Sequence, residues 1–454
     1  MALHAYVCND DWQKLWGTAM RAINKGDAMN LINRGLVAIA ISVLFVASPA
    51  NAQDSSIYVQ CPTETTLHPS PPEAETSGEI KCVHLSGGDG MVTMADGEEM
   101  YIFSFADIPL AEEAITAGDI SDLSQYPGYV MEAGMLAANA PAPTIVVDED
   151  DEVFLTLSNV GMAMRPDLFD PHTVHWHGFP QAASIFDGVP DASISVNMGA
   201  SLTYYYLAKD AGTYMYHCHV EATEHMQMGM LGNLWVRPRQ NKCDTITDDT
   251  AVPGSVCPTG HVDGTTEYAY NDGDGSTRYD VEYPIQIGSF DSVFHGASIG
   301  VQPLPFADMK DNYFLLNGRG YPDTINPDAL STTDPLGKLQ ESQPVSSLIE
   351  ALPNQRVLLR ISNLNVTIFN TLATNGPPME VIGLDARLLR DDDGNNMYYK
   401  TNSLTLGGGQ SADVIIDTTG LAADEKFFLY TTNLDRLANG PENFGGMMTE
   451  IKIN

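Results

Sequence analysis

The segment TYMYHCHVEATEHMQMGM, residues 213–230, holds three histidines, one cysteine and four methionines in eighteen positions. Its beginning is rich in aromatic residues and is typical of a β-strand. Successive side chains of a strand point to opposite faces of the sheet. Cys218 therefore points to one face, whereas His217 and His219 point to the other. The segment predicts two groups of metal ligands on opposite sides of one sheet.

A second segment, HTVHWHG at residues 172–178, divides in the same way. His175 and His177 share one parity, and His172 has the other. His172 is thereby grouped with Cys218, and His225 and Met230 follow downstream. Two imidazoles, a thiolate and a thioether form a ligand set that suits copper. The other group contains four imidazoles, which suit copper or zinc: His175, His177, His217 and His219.

Short runs with period-2 alternation, separated by Gly, Pro, Asn and Asp, recur along the chain and predict β-sandwiches. Two halves of the sequence align with each other. EVFLTLSNVG at residues 152–161 matches RVLLRISNLN at residues 356–365, and GMLGNLWV at 229–236 matches GMMTEIKI at 446–453. We therefore expect an all-β protein with two tandem Greek-key sandwiches. The second lacks the metal ligands, because residues 431–433 read Thr-Thr-Asn where the first half has His-Cys-His.

The N-terminus predicts an exported protein. An apolar stretch at residues 36–47 is followed by Ala50-Asn51-Ala52, a small-X-small cleavage signal, and Met29 is a better start for such a signal than Met1. We predict a leader over residues 1–52 that includes a signal peptide at 29–52, and a mature protein in the periplasm or secreted, without a membrane span. An uncleaved membrane anchor is the alternative.

The remaining boundaries follow from composition. We predict an N-terminal extension at residues 53–95, the ligand-bearing sandwich at 96–240, a linker at 241–262 and the second sandwich at 263–454. Cysteines of exported proteins tend to pair. Cys61 with Cys82, and Cys243 with Cys257, would each close a short loop, which leaves Cys218 as a free thiolate.

The charge of the chain is strongly negative, with 59 acidic residues against 22 basic ones and a formal net charge of −37. Phosphate is repelled by such a surface, so nucleic acid is not an expected partner. Steering of a cationic donor or metal ion is one interpretation. A solvated acidic surface without a specific partner is the one we favour.

Residues 95–454 resemble the multicopper oxidase family, the class of laccases and ascorbate oxidases. The resemblance rests on HTVHWHGF, on FDGVPDASIS at residues 186–195 and on GTYMYHCHVEATEHMQMGM at 212–230. It implies cupredoxin domains with copper as the cofactor. The implied type 1 blue copper ligands are His172, Cys218, His225 and Met230. The implied ligands of the type 2/type 3 cluster are His175, His177, His217 and His219.

The resemblance also implies an activity. Type 1 copper would accept electrons from a small-molecule or protein donor and pass them through Cys218 to the histidine-bound copper, which reduces O₂. Two departures from the family stand out. His225 follows Cys218 by seven positions, whereas the family's ligand histidine follows its cysteine by five. The chain also supplies only four of the eight histidines of a trinuclear cluster. We therefore expect a homo-oligomer or a partner subunit to complete the cluster. Of the other histidines, only His295 is considered as an intersubunit ligand, and a core histidine is the favoured interpretation.

Two alternatives remain open. One is an enzyme similar to copper nitrite reductases, with a mononuclear type 2 copper and nitrite as the acceptor. The other is an electron-transfer or copper-binding cupredoxin without catalysis. The number of coppers per chain, together with turnover of O₂ or nitrite, discriminates between them.

Overall fold

The structure is a computed structural model that describes residues 57–70, 78–244, 254, 256–262 and 264–454. These residues form mainly strands with a few short helices, and the predicted all-β fold is confirmed. The predicted leader and signal peptide, residues 1–52, lie outside the described residues. Within the described ranges, no helix is both long and apolar enough to cross a membrane.

Two four-stranded sheets form the first half of the chain. Sheet 1 has the order β2-β1-β4-β6, and sheet 2 has the order β3-β8-β7-β5. Their strands are β1 (Ile80–Thr93), β2 (Glu99–Asp107), β3 (Ala142–Asp148), β4 (Glu152–Gly161), β5 (His175–His177), β6 (Ser201–Leu207), β7 (Gly212–His217) and β8 (Leu231–Arg237).

Two larger sheets form the second half. Sheet 3 has the order β12-β11-β16-β22-β18-β19, with β20 paired to β18, and sheet 4 has the order β15-β26-β23-β17-β21. The strands of these sheets and of three small two-stranded ones are β9 (Glu267–Tyr268), β10 (Arg278–Tyr279), β11 (Val281–Phe290), β12 (Tyr313–Leu316), β13 (Leu330–Thr333), β14 (Leu339–Gln343), β15 (Ile349–Ala351), β16 (Arg356–Asn363), β17 (Asn370–Thr374), β18 (Met379–Leu384), β19 (Arg387–Leu388), β20 (Tyr399–Thr401), β21 (Ser403–Leu406), β22 (Gln410–Asp417), β23 (Lys426–Thr431), β24 (Ala438–Asn439), β25 (Glu442–Asn443) and β26 (Met448–Ile453).

The helices are short and lie between strands. They are α1 (Ala111–Ala117), α2 (Tyr126–Gly134), α3 (Ala222–Met228) and α4 (Ser292–Ile299). Single 3₁₀ turns occur at Leu123–Gln125, Ser184–Phe186, Arg239–Lys242, Phe306–Asp308, Asp323–Ile325 and Leu434–Leu437.

The two halves share one topology. In sheet 1, β1 is antiparallel to β2 and parallel to β4, which is antiparallel to β6. In sheet 3, β11, β12, β16 and β22 repeat this arrangement. The pairs β5–β7 and β17–β23 are equivalent as well, since β7 and β23 both lie next to the last strand of their half, β8 and β26. The register places Ala373 and Tyr430 at the positions of His175 and His217, so Tyr430, one residue before the predicted Thr431, is the counterpart of His217.

Each half has its own apolar core, filled from the inward faces of its two sheets. Period-2 alternation of apolar residues produces these faces, and their burial is the main favourable contribution to folding. Sheets 2 and 3 also contact each other, because Thr213 on β7 donates a hydrogen bond to Asp413 on β22, 2.5 Å away. The described residues of the two halves form one compact unit.

Both predicted disulfides are present, Cys61–Cys82 and Cys243–Cys257, and Cys218 is a free, buried cysteine. The predicted N-terminal extension at residues 53–95 is not separate from the first sandwich. Its residues 80–93 form β1, the strand that joins β2 to β4, so the first sandwich begins inside this segment. Composition alone did not reveal this strand, because its centre reads SGGDG.

Candidate metal centre

A buried cluster forms around Cys218, just beyond the end of β7. The Cys218 Sγ atom lies 3.1 Å from His225 Nδ1 and 3.9 Å from His172 Nδ1. None of these three residues is exposed. We call His172, Cys218 and His225, together with the adjacent Met230, the Cys218 cluster. Strand parity predicted that His172 groups with Cys218, and the downstream position of His225 and Met230 completed the predicted set.

Local structure brings these residues together from three places in the chain. His172 is held by two backbone hydrogen bonds with Val196. Helix α3 carries His225 and ends at Gly229, whose φ of 115° only glycine adopts readily. The chain then turns back, and Cys218 N–H donates to the carbonyl of Met230 at 3.2 Å. Met230 is fully buried in the same core as Cys218. The two additional residues between Cys218 and His225 are accommodated by α3, a helix that the sequence analysis did not predict.

The electrostatics of this cluster favour a thiolate. Burial alone would raise the pKa of Cys218, but the charge of His225 and the hydrogen bonds from His172 and His225 bring it well below its usual value. The Thr173 N–H also points at Sγ, at 3.5 Å. For His225, burial acts to lower the pKa, and the Cys218 charge outweighs it, so the pKa is raised. Without metal the pair is therefore a thiolate beside an imidazolium, and a bound cation would replace the proton.

The donor set fits copper. Two imidazole Nδ1 atoms converge on one thiolate, and the Nε2 atoms of both histidines are buried without a hydrogen-bond partner. His225 Nε2 lies 3.9 Å from an oxygen of Asp170. A carboxylate beside the far nitrogen of a ligand histidine orients the ring. The sequence analysis missed Asp170, because nothing in its local sequence distinguishes it from other acidic residues.

The second cluster lies on the other side of the same strand end. His175 and His217 are opposite each other on β5 and β7. The ring centroids of His175 are 5.8, 5.2 and 5.2 Å from those of His177, His217 and His219. His219 also stacks on His217 at 5.5 Å. We call these four residues the four-histidine cluster, and the structure brings all four together as predicted.

Hydrogen bonds leave specific nitrogens available for a metal. His175 Nδ1 donates to the carbonyl of Asp187 at 2.5 Å, and His217 Nδ1 donates to the carbonyl of Cys218 at 2.8 Å. Both rings therefore present Nε2 to the cluster. His177 Nδ1 lies 3.4 Å from His217 Nε2. Asp187 thereby orients His175 through its backbone carbonyl.

Burial favours the neutral form of three imidazoles of this cluster, and the neutral form is the one that binds metal. Burial lowers the pKa of His175 and of His177, and lowers that of His217 to about 3. The positive charge of one protonated ring also disfavours protonation of its neighbours.

A cavity of about 420 Å³ lies against the four-histidine cluster. Its opposite wall comes from the second half of the same chain, at residues 364–369 and at Gly408 and Gly409. A Cβ atom at Gly409 would lie 2.7 Å from His177 Nε2, so this wall touches the ring. The cavity is continued on the first half by Ala222 and Met226.

His295 does not contribute to either cluster. It is 1% exposed, and its nitrogens lie 2.6 Å from the carbonyl oxygen of Tyr101 and 3.0 Å from that of Gln227. The idea of His295 as an intersubunit ligand is therefore wrong, since both nitrogens face carbonyl oxygens inside the protein. The favoured interpretation, a core histidine, describes it correctly.

Comparison with known proteins identifies a family for the first half. Residues 124–241 match the multicopper oxidase family. Multicopper oxidase MCE of Talaromyces pinophilus is 36% identical over 115 residues, which is 24% of this chain and 18% of that protein. Laccase-1 of Emericella nidulans is 36% identical over 103 residues, 21% of this chain and 15% of that protein. The chain thus aligns with less than a fifth of these relatives' length.

Solved structures show the same fold over most of the chain. The blue copper oxidase from Nitrosomonas europaea has a TM-score of 0.54 and 21% identity, covering 83% of this chain and 86% of that one. Copper nitrite reductase from Nitrosomonas europaea has a TM-score of 0.50 and 15% identity, covering 83% and 94%. At these identities the similarity supports the two-sandwich fold and does not separate the two activities.

Proposed function

Because residues 124–241 match the multicopper oxidase family, whose cofactor is copper, we propose that the chain is an exported copper-dependent oxidoreductase of this family. In this proposal electrons from a small-molecule or protein donor enter at the Cys218 cluster and reach O₂ at the four-histidine cluster. The observation that carries the proposal is the placement of the two clusters back to back on residues 217–219, so that one segment belongs to both.

The residues of the chain would hold copper as follows. His172 Nδ1, His225 Nδ1 and Cys218 Sγ, together with Met230, would hold the blue copper, and the four histidines would hold copper at the second site. Copper supplies reversible one-electron chemistry at the first site and a site for the acceptor at the second.

The link between the sites is short and rigid. Cys218 is covalently bonded to His217 and to His219, and the His217 Nδ1–H donates to the Cys218 carbonyl. The His219 N–H donates to Thr173 Oγ1 at 3.1 Å, which ties the segment to the strand that begins at His175. These bonds fix the ligands before metal binds. Fixed ligands suit electron transfer, because the site does not have to reorganise.

The surroundings of the clusters support their different roles. The Cys218 cluster is closed to solvent, so its thiolate is protected from oxidation. The four-histidine cluster opens onto the cavity of about 420 Å³, which has room for a small acceptor. The two disulfides support export, because such bonds persist in oxidising compartments.

The test is a Cys218→Ser variant of the full-length copper-loaded protein. We expect the wild-type protein to show strong visible absorption from copper–thiolate bonding and to consume O₂ with a reducing donor. The variant should lose the absorption and at least a hundredfold of the O₂ consumption, while its circular dichroism stays unchanged. A variant that kept strong visible absorption would sink the blue copper assignment.

The same preparation separates the alternatives. Nitrite should be tested as a second acceptor under anaerobic conditions. Nitrite turnover without O₂ consumption would move the assignment to a nitrite reductase-like enzyme. A blue protein that reduces neither acceptor would be an electron carrier.

A further inference from the structure

We propose that the four-histidine cluster binds a single copper ion within one chain, and is not half of a trinuclear cluster shared with a partner. This deepens the proposed function, on which it rests for the identity of the metal. It replaces the sequence-based expectation that a second copy or another protein adds four histidines.

The spacing of the nitrogens is the first argument. Two nitrogens bound to one tetrahedral ion at about 2.0–2.1 Å are about 3.3 Å apart. His177 Nδ1 and His217 Nε2 are 3.4 Å apart. One ligand atom from each of His175, His177 and His217 lies within 4.8 Å of the other two. His177 and His217 thus already have the spacing of two ligands of one ion, and His175 and His219 lie close beside them.

The chemistry of the opposite wall is the second argument. Residues 364–369 and Gly408–Gly409 contain no histidine, cysteine or carboxylate. Their two polar side chains are engaged elsewhere. Asn365 hydrogen bonds to Ser289 and to the N–H groups of Thr367 and Ile368, and the Thr367 hydroxyl donates to Asp311. The wall faces the cluster across the cavity without offering a ligand.

The position of that wall is the third argument. In the equivalent strand pair of the second half, Ala373 and Tyr430 stand where His175 and His217 stand in the first. Gly409, with φ of +86°, contacts the His177 ring edge, so the second half already packs against one of the four histidines. A partner that added ligands to His177 from this direction would have to displace the chain's own residues.

The other described histidines offer no second set of ligands. His84 and His295 are buried, and each ring nitrogen faces an oxygen. His68 hydrogen bonds to Glu152, and His261 stacks on Tyr268. Within the described part of the chain, a second copy would bring only another four-histidine cluster, which faces its own wall.

The experiment counts copper in the full-length protein after a chelator wash. The Cys218→Ser variant isolates the four-histidine cluster, and its metal content is measured by mass spectrometry and by integrated EPR intensity. We expect one ion per Cys218→Ser chain and two per wild-type chain, all visible by EPR. The double variant Cys218→Ser/His177→Ala should bind at least tenfold more weakly, which distinguishes the site from copper held on the acidic surface.

Light scattering on the same samples gives the mass. A copper count that stays the same in monomeric fractions supports the proposal. Two or more ions per Cys218→Ser chain, an EPR-silent coupled pair, or a count that rises only in an oligomer would overturn it. A failure of the proposed function gives a different result. The wild-type protein would then lack visible absorption, whereas the Cys218→Ser variant would still bind one copper ion per chain.

A glycine pair tests the wall. Gly409→Ala places a methyl group against His177, whereas Gly420→Ala has the same left-handed backbone, with φ of +85°, and nothing within 4 Å. Both substitutions carry the same backbone strain. We expect only Gly409→Ala to change the EPR parameters of the four-histidine copper. Identical spectra for the two variants would contradict the contact between wall and cluster.

Discussion

His84 is a buried histidine outside both metal clusters, and its neutral form fits its surroundings. Its Nδ1 lies 2.7 Å from the Tyr126 hydroxyl, which itself donates to the carbonyl of Pro109. Its Nε2 lies 2.8 Å from Ser158 Oγ. Nδ1–H can therefore donate to Tyr126 while Nε2 accepts from Ser158. Burial lowers the pKa of His84 from 6.5 to about 4.

This lowered pKa predicts a loss of stability in mild acid. Below pH 6.5 the unfolded chain binds a proton at His84, and the folded chain does not until pH falls to about 4. The contribution of neutral His84 to the free energy of unfolding is complete above pH 6.5 and is lost between pH 6.5 and about 4. At pH 5 the loss amounts to roughly 2 kcal/mol. Urea unfolding of wild-type and His84→Gln protein at pH 7.5 and pH 5.0 measures it. The variant should lose about 2 kcal/mol less between the two pH values, and equal losses would refute the linkage.

At the level of residues, the sequence predicted those contacts that follow from strand parity. His175, His177, His217 and His219 converge because alternate side chains of two paired strands share a face. The contacts of Asp170 with His225 and of the Asp187 carbonyl with His175 could not be predicted, because they depend on the paths of loops. The local sequence does not determine those paths.

Helix α3 is the element on which the Cys218 cluster depends, since it carries His225 and leads into Met230. His295 on α4 connects this helix to sheet 1 by contacting the carbonyls of Gln227 on α3 and Tyr101 on β2. A neutral imidazole donates one hydrogen bond at a time, and the ring fills the space between both elements. His295 therefore acts as a positioning residue for α3.

Replacement of His295 should alter the Cys218 cluster without direct contact to it. We expect His295→Leu to shift the visible absorption and the EPR hyperfine splitting of the blue copper, and to speed copper loss severalfold, because α3 loses one of its contacts with sheet 1. His84→Gln is the control, as a buried histidine that does not contact α3. If His295→Leu lowers stability and leaves both spectra unchanged, the residue fills the core and does not position the ligands.

The strand pairs of the two halves were the most predictable elements. The similarity of residues 152–161 and 356–365 indicated equivalent strands, and β4 and β16 occupy equivalent places in their sheets. Helix α3 was not predicted, because its residues were interpreted as a ligand loop and seven residues are too few for a clear helical period. Strand β1 was not predicted either, because the glycines at its centre interrupt the alternation of apolar and polar residues.

In the whole molecule, sheets 2 and 3 are held together by a buried polar network. Arg360 is fully buried, with Nε 2.8 Å from Glu282 and Nη1 3.2 Å from Thr213 Oγ1, and it lies over the Trp235 ring at 5.1 Å. Asp413 lies 3.6 Å from Arg360 and accepts hydrogen bonds from Thr213 and Tyr270. This network fixes the second half against β7, the strand that leads into the ligands.

Breaking this network at Arg360 should therefore destabilise the whole molecule. Arg360→Met leaves the Asp413 charge buried without its cationic partner, which costs about 3–5 kcal/mol. The double variant Arg360→Met/Asp413→Asn removes that charge and should recover part of the loss. Arg278→Met is the matched control, because Arg278 pairs with Asp280 near the surface and such pairs contribute at most about 1 kcal/mol. Urea unfolding followed by circular dichroism measures all three. A loss for Arg360→Met no larger than that for Arg278→Met would mean that apolar packing alone holds sheets 2 and 3 together.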